Sequence, residues 1–243
     1  MMHAFFVKDW RQPLGLLEQE IHHLTNVLRL KNGENILLLD GKGGQARAKI
    51  VRNSKKSVGL ELEGEVIYSV KPEPALTMAL GWGKAIRRSF LLEKSVEFEA
   101  DGIWFWQADH SQFQLPDTSK ENWQSQLMAG AKQSHNPWLP QLRTLPSGLK
   151  QLIEQAQGFA NKFVLLGRNE AKMIKILDET TLKLSGDRIF ALGPEGGLSQ
   201  KEIEAILANG FIPVSLGDRI LRWESAALLC LGLHWWHRQI STD

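Results

Sequence analysis

Two textures of hydrophobic patterning divide the chain. Over residues 1–70, short apolar runs alternate with polar positions and are cut by turn residues. HAFFV is a strand candidate, and NILLLDGKGG runs from a strand into a glycine turn. QARAKIVR and SVGLELEGEVI put apolar or small residues at every second position, the period of a half-exposed strand. Between them, EIHHLTNVLRL carries Ile21, Leu24, Val27, Leu28 and Leu30 at helical spacing, and KNG closes that element. Short strands joined by tight turns predict a small β-barrel domain over 1–70.

SVKPEPAL follows, with two prolines in three positions, which disfavours both helix and central strand and marks a linker near Pro72. Beyond it the apolar runs become continuous. ALTMALGW, GIWFWQA, KFVLLG, RIFALG and PVSLG read as strands, with IRRSFLLEKSVEFEA and KENWQSQLMAGAKQS among the helical stretches between them. Alternating strands and helices predict an α/β domain over 73–243, its sheet mostly parallel and covered on both faces.

Composition narrows this picture. A hydrophobic fraction of 43% supports a full core, and no run of apolar residues is long enough to predict a membrane span. The start, MMHAFFVKDWRQ, lacks a basic leader and a cleavage pattern, so a cytoplasmic protein is expected. The single cysteine, Cys230 in AALLCLGL, excludes an intrachain disulfide and a cysteine-cluster metal site, and no metal is expected. Net charge of +2 says little about partners, although basic residues cluster in RAKIVRNSKK (47–56) and GKAIRRSF (83–90).

Chemistry concentrates at glycines. GWGKAI offers G-x-G after a strand but has Ile86 where a dinucleotide site needs its third glycine, and GPEGGLS lacks the lysine of a phosphate loop. Three late strands share an ending: Leu166-Gly167, Leu192-Gly193 and Leu216-Gly217. In an open parallel sheet, ligands bind beyond the carboxyl ends of the strands. Three such ends would form a pocket of backbone groups and apolar side chains, suited to a flat heterocycle such as adenine. Ordinary strand-to-loop punctuation explains the same spacing. Ser199 and Glu202 form an S-x-x-E capping box that predicts a helix ending near Asn209-Gly210. Glu195, between Pro194 and Gly196, has no hydrophobic reason to be there. Arg219 and Arg222 precede a long apolar helix opened by Glu224. They suit a phosphate-bearing substrate, or they form surface ion pairs of Arg222 with Glu224 or Asp218.

ALGPEGGLSQKEIEAILANGFIPVSLGDRILRWESAAL resembles the signature of the bacterial 16S ribosomal RNA uridine-N3 methyltransferases, members of the trefoil-knotted SPOUT superfamily. HHLTNVLRLKNGENILLLDGKG, EKSVEFEADGI and AKQSHNPWLP resemble weaker family segments, so the likeness covers most of the chain. It implies an N-terminal PUA-like barrel for RNA, a C-terminal knotted α/β domain, and a homodimer acting with S-adenosylmethionine on the small ribosomal subunit. Cofactor contacts carry over to Leu165, Leu166 and Gly167, then Leu192, Gly193, Pro194, Gly196 and Gly197, then Ser215, Leu216, Gly217, Ile220 and Leu221.

Uracil N3–H must lose its proton to become a nucleophile, which needs a base or a cation beside the anion. For that reaction the candidates are Arg222 for substrate phosphate or the uracil anion, Glu195 as base or orienting acceptor, and Glu224 as the group positioning Arg222. RNA contacts are expected at Arg29, Arg47, Lys49, Lys84 and Arg219, mostly to phosphate. Departures fall on the RNA side: Ala4, His110 and Asn136 stand where the family has arginine, and Trp223 and Ser225 replace threonines. They leave two alternatives: methylation of another RNA position, or a non-catalytic RNA-binding protein.

Overall fold

A computed structural model describes residues 2–53, 57–84, 87–167 and 175–241; Lys55 and Lys56 of the first basic run, and Ile86, lie outside them. Backbone contacts divide the chain into two compact units, Met1–Lys71 with Leu127–Leu139, and Pro72–Gln126 with Pro140–Asp243.

In the first unit, β1 (Ala4–Phe6) is followed by α1 (Glu18–His22), a π-helical turn (His23–Val27), β2 (Asn35–Leu39), β3 (Gly44–Asn53), β4 (Val58–Leu62) and β5 (Ile67–Tyr68). The sheet order is β1-β2-β3-β4, with β5 also on β3. The period of two predicted for β3 is present: Ala46, Ala48 and Ile50 are buried, while Arg47 and Lys49 face solvent. The helical stretch departs from expectation. The Leu28 amide bonds the His23 carbonyl at 3.0 Å, the wider π pattern, and this rotates Val27 out to 61% exposure while Leu24 stays buried. Glu20 is buried with both oxygens satisfied, one by the Phe6 amide (3.2 Å) and one by Lys132 Nζ (2.8 Å). Gly43 is required by packing, since a Cβ there would overlap the Trp138 ring.

The second unit contains β6 (Leu76–Gly81), α2 (Arg88–Glu97), β7 (Gly102–Trp106) and the start of α3 (Glu121–Ser134), whose residues from Leu127 on cluster with the first unit. Then come β8 (Gln141–Leu145), α4 (Leu149–Gln155), β9 (Asn161–Leu165), β10 (Lys175–Ile176), α5 (Glu179–Leu182), β11 (Arg188–Leu192), α6 (Gln200–Ala208), β12 (Ile212–Ser215) and α7 (Trp223–Ser241). The seven strands lie in the order β10-β12-β9-β11-β6-β7-β8, and each pairing is parallel. β6, β7 and β11 are buried along their whole length, which is why they appear in the sequence as unbroken apolar runs. Arg188 interrupts β11 at no cost in unmet donors at its tip, because Nη1 and Nη2 donate to the Leu182 and Leu184 carbonyls (3.0 and 2.6 Å).

Register places the site. Leu192 pairs with both Leu165 and Leu80, and Val214 pairs with Leu165, so β6, β9, β11 and β12 end at one level of the sheet. Gly167, Gly193 and Gly217 all lie just past their strands.

Candidate functional site

The loops after β9, β11 and β12 line one cavity of about 570 Å³. Leu165, Leu166, Gly167, Leu192, Gly193, Pro194, Gly197, Ser215, Leu216, Gly217, Ile220 and Leu221 all line it. Of the residues assigned to a cofactor, Gly196 is not in the lining. Glu195, Leu198, Asp218, Arg219, Trp223 and Ala226 complete the wall. The glycines are there for backbone reasons. Gly217 sits at φ 114°, where its amide and carbonyl both bond Ser215 Oγ (3.3 and 3.1 Å). At Gly193 a Cβ would press on Leu198 and on the Gly197 backbone, so the strand end and the turn can pack only without one.

The GPEGG turn is held from two sides. The Gly197 amide bonds the Pro194 carbonyl at 2.9 Å. Downstream, Ser199 caps α6 in the predicted box with Glu202. Glu202 is buried and also accepts the Asp109 amide (2.9 Å), while Ser199 Oγ donates to Asp109 Oδ2 (2.6 Å). Nδ1 of His110 faces the Gly196 carbonyl at 3.1 Å, a contact that requires the ring proton on Nδ1. The loop after β7 thus braces the loop after β11, a relationship invisible in the sequence.

The three catalytic candidates separate. Glu195 is exposed to the cavity. Arg222 is exposed, lies outside the lining, and forms no ion pair among the described residues; its carbonyl bonds the Ala226 amide at 2.9 Å and so opens α7. Glu224 does not hold Arg222. Residues two apart at a helix start point in different directions, and Glu224 instead pairs with Arg87 at 3.2 Å. Trp223 lines the cavity, and its buried Nε1 has no hydrogen-bond partner. Among the RNA candidates, Arg29 is exposed in a left-handed conformation (φ 54°), Arg47 and Lys49 share the outer face of β3, Lys84 is exposed after β6, and Arg219 is in the cavity wall.

One residue beside the site was missed. Arg88, in the basic cluster GKAIRRSF, is 7% exposed. Its guanidinium stacks on Trp82 at 3.7 Å, with Phe105 and Trp123 each at 5.6 Å. Burial pushes its pKa down to about 10, opposed by the charge of Glu195. Among the described residues, no group of acidic, histidine or cysteine side chains is placed to hold a metal, and no helix is long and apolar enough to cross a membrane.

Residues 71–235 match the family model described as RNA methyltransferase domain, and residues 16–63 match the RNA methyltransferase PUA domain. The chain is 30% identical to the ribosomal RNA small subunit methyltransferase E of Mesomycoplasma hyopneumoniae, covering 95% of this chain and 97% of that one. It is 25% identical to the protein of the same name from Bacillus subtilis, over 95% and 94%. Among solved structures, ribosomal RNA small subunit methyltransferase E from Neisseria gonorrhoeae, bound to S-adenosyl methionine, superimposes with a TM-score of 0.79 at 25% identity, covering 96% of each chain.

Proposed function

This chain belongs to the RNA methyltransferase family matched over residues 71–235, and from that premise we propose that it methylates N3 of a uridine in 16S ribosomal RNA of the small subunit, with S-adenosylmethionine as methyl donor. The observation that carries the reading is the cavity at the three strand ends. Its volume is in the range of small-molecule sites. Its wall of backbone amides, carbonyls and leucine side chains fits the edge and faces of adenine, and Glu195 and Asp218 add carboxylates for hydroxyl or ammonium groups.

S-adenosylmethionine supplies an electrophilic methyl group when bound. The chain's own residues supply the rest. Leu166, Gly193, Leu216, Gly217 and Leu221, all in the cavity wall, would hold its heterocycle. Arg219 in the wall and Arg222 beyond it offer cationic charge to a phosphate or to the uracil anion formed when N3–H is lost. N3 lies on the pairing edge, so the target base enters unpaired or flipped. Arg47, Lys49, Arg29 and Lys84 are exposed and suit phosphate contacts.

The finer architecture belongs to the same reading. A PUA-like barrel is supported by the five-stranded sheet and the match over 16–63. A trefoil knot is supported by the order in which β12 returns between β10 and β9, after β11 has been laid on the other side of β9. A homodimer is supported by Leu229, Trp236 and Ile240, exposed along one face of α7, and by the fully exposed Ile220 in the pocket wall. The ribosomal target makes the cytoplasm its place of work.

Calorimetry with S-adenosylmethionine tests the pocket, with a dissociation constant of about micromolar order expected. Methyl transfer to small subunits, mapped by mass spectrometry, tests the target. Modification of another nucleotide would keep the enzyme class and replace the uridine assignment. No binding to the intact protein would remove the reading.

A further inference from the structure

Glu195 and Arg88 meet at a single glycine. The Glu195 carboxylate packs so tightly on Gly83 that a Cβ at that position would overlap Oε2. The carbonyl of the same residue accepts Arg88 Nη2 at 2.8 Å. No direct ion pair joins the two side chains among the described residues; the contact runs through the Gly83 backbone. Arg88 cannot swing away, because its guanidinium lies flat on Trp82 and is walled by Phe105 and Trp123. Its Nε has no partner among the described residues, and there the Gly83 carbonyl is the polar group that anchors the buried cation. Gly81, two residues earlier at the end of β6, repeats the close approach, since a Cβ there would overlap Pro194. The chain from Gly81 to Gly83 is therefore moulded to the Pro194-Glu195 edge of the cavity wall, and Arg88 holds it through the Gly83 carbonyl.

We propose that Arg88 is a positioning residue that, through Gly83, holds Glu195 in one place as a fixed acceptor for the methyl donor, and not as the base that takes the uridine proton. This rests on the cavity being the S-adenosylmethionine site. A carboxylate seated on backbone, with a buried cation bonded to that same backbone, is built to orient a ligand. The aromatic cage explains why arginine is used: it stacks and donates in one plane, which lysine cannot do.

The experiment compares Arg88→Met, Arg88→Lys, Glu195→Gln and the Arg88→Met/Glu195→Gln double variant in the full chain. S-adenosylmethionine affinity is read by calorimetry, and the rate at saturating cofactor by methyl transfer to small subunits. Arg88→Met and Glu195→Gln should each weaken cofactor binding on the order of tenfold, the double variant no more than the weaker single, with saturated rates within about threefold of the parent. Arg88→Lys should not restore affinity. Additive losses, a collapse of the saturated rate in Glu195→Gln with affinity unchanged, or parental affinity in Arg88→Met would overturn the proposal. Should Arg88→Met fail to fold, Gly83→Ala decides. It leaves the aromatic cage whole and displaces only the carboxylate, so cofactor affinity must fall as in Glu195→Gln; parental affinity overturns the idea. Absence of binding by the unmodified protein would instead strike the pocket assignment itself, and is read first.

Discussion

Glu224 reaches Arg87 at 3.2 Å and leaves Arg222, two residues before it, without an ionic partner among the described residues. The pair ties the residue before α2 to the first turn of α7, two helices that pack on one another. Glu224 is therefore a brace between helix starts. Arg87→Ala and Glu224→Gln should lower turnover equally, within about threefold of each other, and the double variant should match either. Arg87 is half exposed, so stability should change by less than about 1 kcal/mol. Urea denaturation beside methyl transfer checks both statements, and a much larger loss in Glu224→Gln would give it a role of its own.

Arg222 stands outside the cavity lining with its side chain exposed. Arg222→Ala is expected to lower methyl transfer by about a hundredfold or more, as removal of a cation beside a developing anion does, while S-adenosylmethionine binding stays within about twofold. Unchanged turnover would remove Arg222 from the mechanism.

Gly217 has open space where a Cβ would go, yet sits at φ 114°. Gly217→Ala should therefore cost backbone strain of about 1–3 kcal/mol and weaken cofactor binding, because the Ser215–Gly217 turn is part of the wall. Gly158→Ala, also at an open position but without the left-handed backbone, is the matched control and should leave binding unchanged. Equal behaviour of the two variants would contradict the strain argument.

His234 is fully buried with neither ring nitrogen hydrogen-bonded. Burial pushes its pKa down to about 3, reinforced by Arg188, Arg238 and His237. The unfolded chain takes up this proton near pH 6.5, so it binds more protons than the fold between pH 6.5 and 3 and stability falls as pH drops through that window. The loss at pH 5 should be about 2 kcal/mol. His234→Phe should flatten the difference between unfolding free energies at pH 7 and pH 5; an unchanged slope would assign it to other groups.

The central strands and the cavity wall are legible in the sequence for one physical reason. A parallel strand buried on both faces must be written as continuous apolar residues, and it must then be broken, so Leu-Gly marks both the strand end and the site. The α6 capping box is equally local. What escaped depends on distant partners. β8, Gln141–Leu145, is half exposed on the sheet edge, and β10 has only two residues, so neither carries a period. The apolar positions of α3 show which face turns inward but not that those from Leu127 on serve the first unit. Arg87 and Arg88 are identical neighbours in sequence. Only Trp82, Phe105 and Trp123, brought together by folding, decide that one is buried and the other reaches Glu224.

The strand order also sets a timetable. Leu76 begins the first strand of the second unit, and its neighbour on one side begins only at Arg188. Pairings this distant along the chain slow folding, because a long loop must close before any contact rewards it. During synthesis the loops after β9 and β11 emerge first, and the third waits for Ser215 and the residues beyond. A chain stopped short of that point carries two loops with nothing for them to enclose. Affinity for the methyl donor is thus acquired last, and measuring it on nascent or truncated chains would report how complete the sheet is.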